Sequence, residues 1–127
     1  MCVDLHSHST ASDGVRSPRE QALHLAKQGV KLAALSDHDT LLGCAEFAEA
    51  AQTVGMATVP AVEITVTFPY TTTAELHVLA YGVEAGHAEL DAFLAKGVAS
   101  RTQRVLDMVS ELHRLLPGFE ADELQAQ

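Results

Sequence analysis

Tryptophan is missing from this 127-residue chain, tyrosine occurs twice, and lysine and arginine together number only 8 against 17 aspartates and glutamates. The formal net charge of -9 and the pI near 5.0 exclude a basic nucleic-acid footprint. An acidic chain can still handle phosphates where bound cations reverse the local charge. Cysteine is also scarce. Cys2 and Cys44 stand alone with no Cys-x-x-Cys spacing, which argues against a zinc knuckle or a thioredoxin-like motif and for small buried hydrophobes. No apolar run approaches the roughly 18 residues of a membrane span, and no signal-peptide pattern precedes the first motif. A cytoplasmic protein with no membrane partner is expected. There is no Gly-x-Ser-x-Gly elbow, Gly-x-Gly-x-x-Gly turn or Walker loop, and no internal repeat.

What is present is a composition able to bury a core, 47% hydrophobic and 20% charged, in a length that suits one domain. Residues 2–6 read as a short strand, followed by a polar loop over 7–16. "SPRE" is a strong helix start, with Ser17 as N-cap, Pro18 at the first helical position and Glu20 closing a capping box. Ala22, Leu23, Leu25 and Ala26 supply the apolar stripe and Gly29 the stop. "VKLAALS" predicts a strand buried on both faces. Thr40 is expected to cap a second helix running to about Val54, with Gly55 ending it. "MATVPAVEITVTF" reads as one strand, "PYTTTA" as a loop and "ELHVLAYGV" as a fourth strand. The order βαβαββ implies an α/β fold with a parallel or mostly parallel sheet. Beyond Gly86 a short helix over 88–95 and a longer one over 98–116 are expected. Pro117-Gly118 then forms a stop and "FEADELQAQ" the start of another helix.

The seven histidines are concentrated where chemistry would need them. His6 and His8, two apart at a strand's end, project from the same face. Asp13 lies on the loop that follows. The second strand brings Ser36, Asp37, His38 and Asp39 to its carboxyl end, the third carries Glu63 and the fourth His77. A carboxylate or imidazole among strand hydrophobes costs several kcal/mol unless paired or bound to metal. Four successive strands each placing such a group near one end point to a metal site. Neutral imidazole with carboxylate suits zinc, manganese or iron better than magnesium. His24, His87 and His113 fall on predicted helices or caps and read as surface or packing residues.

"DLHSHSTASDG", "ALSDHDT", "AVEIT" and "HVLAYG", in that order, resemble the PHP (polymerase and histidinol phosphatase) superfamily of phosphoesterases, and most of all its TrpH-like branch. The resemblance covers about residues 3–83, and "SRTQRVLDMVSEL" is similar to the arginine-containing helix that follows in that branch. It implies a distorted βα barrel with two or three divalent metal ions at the strand carboxyl ends. It further implies hydrolysis of phosphate esters, either nucleoside 3′,5′-bisphosphates or RNA and oligonucleotide 5′ ends, by metal-activated water. Carried over, His6, His8 and Glu63 would hold one ion. Glu63 and His77 would hold a second, and Asp13 and His38 a third. Asp37 would orient a ligand imidazole, and Arg101 and Arg104 would meet a substrate phosphate.

Complete family members are about twice as long, and their later strands close the site with a His-Pro motif and an Asp-x-His pair. This chain offers neither after His77. The resemblance therefore predicts the first half of a PHP barrel over residues 1–86, with its first four strands and crossover helices, and the start of a helical subdomain over 87–127. The chain would then be a fragment of a longer protein. An open edge strand and an uncovered apolar face favour a homodimer that covers the edge. The alternative function is a catalytically incomplete metal-binding half-domain or a structural remnant.

Overall fold

The computed structural model describes residues 1–67 and 75–116, leaving aside the side chains of Thr67 and Glu75. The expected loop at "PYTTTA", the Pro117-Gly118 stop and the helix at "FEADELQAQ" lie outside the described residues. The chain divides into two compact units, Met1–Gly97 and Val98–Gln127.

In the first unit, β1 (Cys2–Asp4), α1 (Pro18–Lys27), β2 (Val30–Ala33), α2 (Cys44–Thr53) and β3 (Ala57–Thr58) alternate, and β1-β2-β3 form a parallel sheet. The start of α1 is dictated locally. Ser17 Oγ accepts the Glu20 N–H, Glu20 Oε2 accepts the Ser17 N–H at 2.9 Å, and Pro18 opens the helix. Helix α2 begins later than expected. Thr40 Oγ1 accepts the Leu42 N–H in a local turn, and Gly43 becomes the N-cap. The core is the space between α1, α2 and β2. It holds Ala22, Leu25, Val30, Ala33, Leu35, Phe47, Ala50, Ala51 and Met56. Phe47, 2% exposed, is its largest fully buried side chain and contributes roughly 2–3 kcal/mol by area. Strand β2 is less apolar in place than its sequence suggested, because Lys31 is exposed.

The expected third strand is two strands, β3 and β4 (Ala61–Thr67), broken at Val59-Pro60. Pro60 has no N–H to continue a ladder. Strand β4 pairs antiparallel with β5 (Glu75–Tyr81). Strand β1 ends two residues short of expectation, but pairing continues past the formal strand ends. Ala34 N–H donates to Asp4 C=O, Ser36 N–H to Ser7 C=O, and Glu63 N–H to Asp37 C=O. His38 and Glu63 form an isolated parallel bridge that joins β4 to the end of β2. The Tyr81 hydroxyl donates to the Leu5 carbonyl at 2.9 Å, tying the end of β5 to the start of the first loop.

The two expected C-terminal helices are one, α3 (Ala88–Leu115). Gly97 does not break it, since an interior glycine costs only about 1 kcal/mol. Leu94 is its buried residue in the first unit. In the second unit the helix carries local pairs, Gln103 to Asp107 at 2.9 Å and Arg114 Nε to Glu111 at 2.8 Å.

Candidate metal centre

The segments just beyond β1 and β2 are neighbours because the parallel ladder holds them together. Ser7 Oγ donates to Ala34 C=O at 3.0 Å, and Ser36 Oγ to Ser7 C=O at 3.3 Å. Both serines are buried, so these bonds satisfy groups that would otherwise be costly. They set His6 and His8 beside His38. Glu63 comes from β4, and its backbone N–H and C=O both face the β2 end, to Asp37 and Asp39. Residues 62, 64 and 66 must then face β5. His77 stands opposite Thr65 in that hairpin, on the Glu63 side of the pleat.

Glu63 is the hub, 5% exposed. Its Oε2 lies 2.8 Å from His6 Nε2, 3.0 Å from His8 Nε2 and 4.0 Å from His38 Nδ1. Its Oε1 lies 2.9 Å from His77 Nδ1. Asp13 approaches from the loop, 3.3 Å from His8 Nδ1 and 3.5 Å from His38 Nε2. The imidazoles follow one another in a row, tilted or edge-on, with centroids 5.1 Å (His6–His8), 4.7 Å (His8–His38) and 4.8 Å (His38–His77) apart. Burial pushes the Glu63 carboxyl up. The His6 hydrogen bond and the neighbouring His38, His6 and His8 rings outweigh burial and hold it below its ordinary value.

Three trios have ligand atoms all within 4.8 Å of one another: His6-His8-Glu63, His8-Asp13-His38 and His38-Glu63-His77. Four imidazoles and two carboxylates converging this closely make a donor set that fits borderline divalent ions, with Glu63 and the central imidazoles shared between neighbouring trios.

Asp37 reaches the site differently from expectation. Its carboxylate, 1% exposed, accepts the Ser9 N–H at 2.7 Å, Ser9 Oγ at 2.7 Å and Ser12 Oγ at 2.6 Å, and these partners are not imidazoles. Ser12 Oγ in turn lies 3.4 Å from His8 Nδ1. Asp37 therefore pins the loop that carries Asp13 and acts on His8 only through Ser12. Arg101 and Arg104 lie on α3 in the second unit, with Arg101 half-buried and Arg104 exposed. His24, His87 and His113 belong to none of the three trios.

Sequence reasoning missed the residues that build the scaffold around the ligands. Gly14 is one. A Cβ there would come within 2.5 Å of the His8 carbonyl carbon and oxygen, so the loop closes on His8 only without a side chain. Ser9 and Ser12 are others; a serine-rich loop facing a strand-end aspartate was the available signal. Gly43 is a third case, where a Cβ would lie 2.9 Å from Asp37 Oδ2.

The family model described as "PHP domain" matches residues 4–119. The chain is 36% identical over 111 residues to a 5′-3′ exoribonuclease of Haemophilus influenzae, covering 87% of this chain and 39% of that protein. It is 34% identical over 110 residues to a 3′,5′-nucleoside bisphosphate phosphatase of Chromobacterium violaceum, covering 87% of this chain and 38% of that protein. A crystal structure from Bifidobacterium adolescentis, assigned as a metal-dependent phosphoesterase, superposes with a TM-score of 0.82 at 28% identity. That match covers 99% of this chain and 43% of the other. The chain thus spans about two fifths of the length of the curated relatives it matches.

Proposed function

The chain belongs to the PHP domain family, and on that premise we propose that it carries the first half of a metal-dependent phosphoesterase that hydrolyses phosphate esters. The observation that carries this reading is the convergence of His6, His8, Asp13, His38, Glu63 and His77 into three overlapping trios. His6, His8 and Glu63 would hold one ion, Glu63 and His77 with His38 beside them a second, and Asp13 and His38 with His8 beside them a third. Two or three ions of manganese, zinc or iron are the expected complement. Bound divalent ions would supply an activated water at neutral pH and a positive clamp for the phosphate. The chain's own part is to hold four rings and two carboxylates in place. Asp37, Ser9 and Ser12 fix the Asp13 loop, and the Glu63 carboxyl, held below its ordinary value, would serve two ions as an ionised ligand. Arg101 and Arg104 would recognise the substrate phosphate. The substrate is then a phosphate-ester small molecule, such as a nucleoside 3′,5′-bisphosphate, or a short nucleic acid with a free 5′ end.

The division at residue 86 into half-barrel and helical subdomain belongs to the same reading. So does a homodimer covering the open side of the hairpin. Strand β5 pairs only with β4 among the described residues, and Leu76 and Val78 on it are exposed. A cytoplasmic location is part of the same proposal, and the thiols of Cys2 and Cys44 are free.

The coverage of two fifths favours one second reading, a half-domain that binds metal and reaches turnover only with a partner supplying further ligands. A manganese titration coupled to hydrolysis of a nucleoside 3′,5′-bisphosphate and of a 5′-phosphorylated short RNA separates the two. Manganese-stimulated turnover that His8→Ala abolishes supports the enzyme. Metal binding without turnover supports the half-domain. Failure to bind manganese, zinc or iron at micromolar concentration would leave a structural remnant.

A further inference from the structure

Asp39 sits in an unusual position. It is 3% exposed and has φ +53°, in the left-handed region that non-glycine residues seldom occupy and that aspartate and asparagine tolerate best. That turn takes the backbone out of the extended path that brought β2 alongside β4. The pairing nevertheless continues for two more bonds. The Asp39 N–H donates to the Glu63 carbonyl at 2.9 Å, and Asp39 Oδ1 accepts the Thr65 N–H at 2.8 Å. The carboxylate thus stands where the next carbonyl of a parallel partner would be. Asp39 as a whole therefore holds β4 at two points, its backbone N–H at the Glu63 carbonyl and its carboxylate at the Thr65 N–H. Glu63 is the hub of the cluster, and Thr65 is the residue directly opposite His77. Gly97 of α3 closes over the carboxylate, where a Cβ would come 3.2 Å from Asp39 Cγ and Oδ1.

We propose that Asp39 is a positioning residue. Its side chain replaces a missing strand carbonyl and so fixes the height of Glu63 and His77 relative to His38. The proposal rests on the metal-centre reading for its consequence, but its geometry can be tested without metal. Three variants separate its parts. Asp39→Gly keeps the left-handed backbone and loses the acceptor. Asp39→Asn keeps both, through its amide oxygen. Asp39→Ala loses both.

The first measurement is ¹⁵N NMR of the histidine rings in metal-free protein. Asp39→Gly and Asp39→Ala should move the His77 and His6 ring resonances, two of the rings that meet Glu63, and leave His24 and His113 in place. Asp39→Asn should match the wild type. The second is manganese affinity, expected to fall about 10- to 100-fold in Asp39→Gly and to stay within about threefold in Asp39→Asn. Unmoved His77 and His6 resonances in Asp39→Gly would overturn the proposal. So would Asn behaving like Gly, since charge rather than the acceptor would then matter. A wild-type chain that binds no manganese sinks the metal-centre reading alone, and the ring resonances still decide the role of Asp39.

Discussion

Helix α2 and the far half of α3 carry apolar stripes of the same period, but only one of them is buried. In α2, Phe47, Ala50 and Ala51 sit at i, i+3 and i+4 and all three are packed against β2 and α1. In α3 beyond Gly97, Val98, Val105, Met108 and Leu115 are each 46–58% exposed, as is Leu106. An amphipathic stripe is therefore a demand for a partner, and it does not state whether the partner is present.

The largest expected effect breaks this contrast at its buried end. Phe47→Ala should cost about 3–5 kcal/mol, a large part of a small domain's stability, whereas Met108→Ala should stay within about 0.5 kcal/mol. Urea melts of both variants measure it. Comparable losses would mean that the α3 stripe is covered in solution. In that case Leu106→Ser with Met108→Ser should reduce self-association in sedimentation velocity, and unchanged self-association there would show that the α3 stripe is not the surface that is covered.

A smaller effect is expected from two aspartates that are both hydrogen-bonded acceptors. Asp37, buried, holds Ser9 and Ser12; Asp107, exposed on α3, holds Gln103. Removing Asp37 strands buried donors and should cost about 3 kcal/mol, while Asp107→Ala should cost less than about 0.5 kcal/mol. Amide exchange at Ser9 should rise in Asp37→Ala well beyond the change in global stability. Exchange at Ser9 that merely follows the global loss would show that Asp37 supports the fold generally and does not pin the loop.

The same contrast explains what was legible beforehand. Residue types at strand ends carry their own signal. His6, His8, His38, Glu63 and His77 could thus be named as candidate ligands, and "SPRE" gave the start of α1, because both depend on local chemistry. The break at Pro60 was visible as a proline, but it looked tolerable within an apolar run. The antiparallel pairing of β5 with β4 departs from the mostly parallel sheet that the element order implied. The continuity of α3 through Gly97 was hidden because residues 88–95 and 98–116 read as separate helices, while the packing of Gly97 against Asp39 is a tertiary fact. Asp37 was assigned to an imidazole because carboxylate–imidazole pairs are the common arrangement. Only the fold shows that its nearest donors are serines.

The smallest expected effect sharpens the comparison at two exposed glutamates. Both Glu20 and Glu111 have carboxyls held below the ordinary value of 4.5, for different reasons. Glu20 is lowered first by the Ser17 backbone N–H and then by the Ser17 hydroxyl, with Arg16 a minor influence. Glu111 is lowered by the hydrogen bond from Arg114, an ion pair between full charges. In each case the folded value lies below the unfolded one. Each contribution is therefore fully present above about pH 4.5 and fades as pH falls through the lowered folded value. Salt should divide them. At about 1 M ionic strength the screening length is roughly 3 Å, which weakens a solvent-exposed charge pair far more than a capping hydrogen bond to a neutral amide. Carboxyl titration by NMR at low and high salt should find Glu20 nearly unmoved and Glu111 drifting back toward the ordinary range. Equal drift of both would mean that the capping box at α1 is held by Arg16 and not by the backbone of Ser17. The contrast between a locally determined helix start and a solvent-exposed helix end would then fail at its most local point.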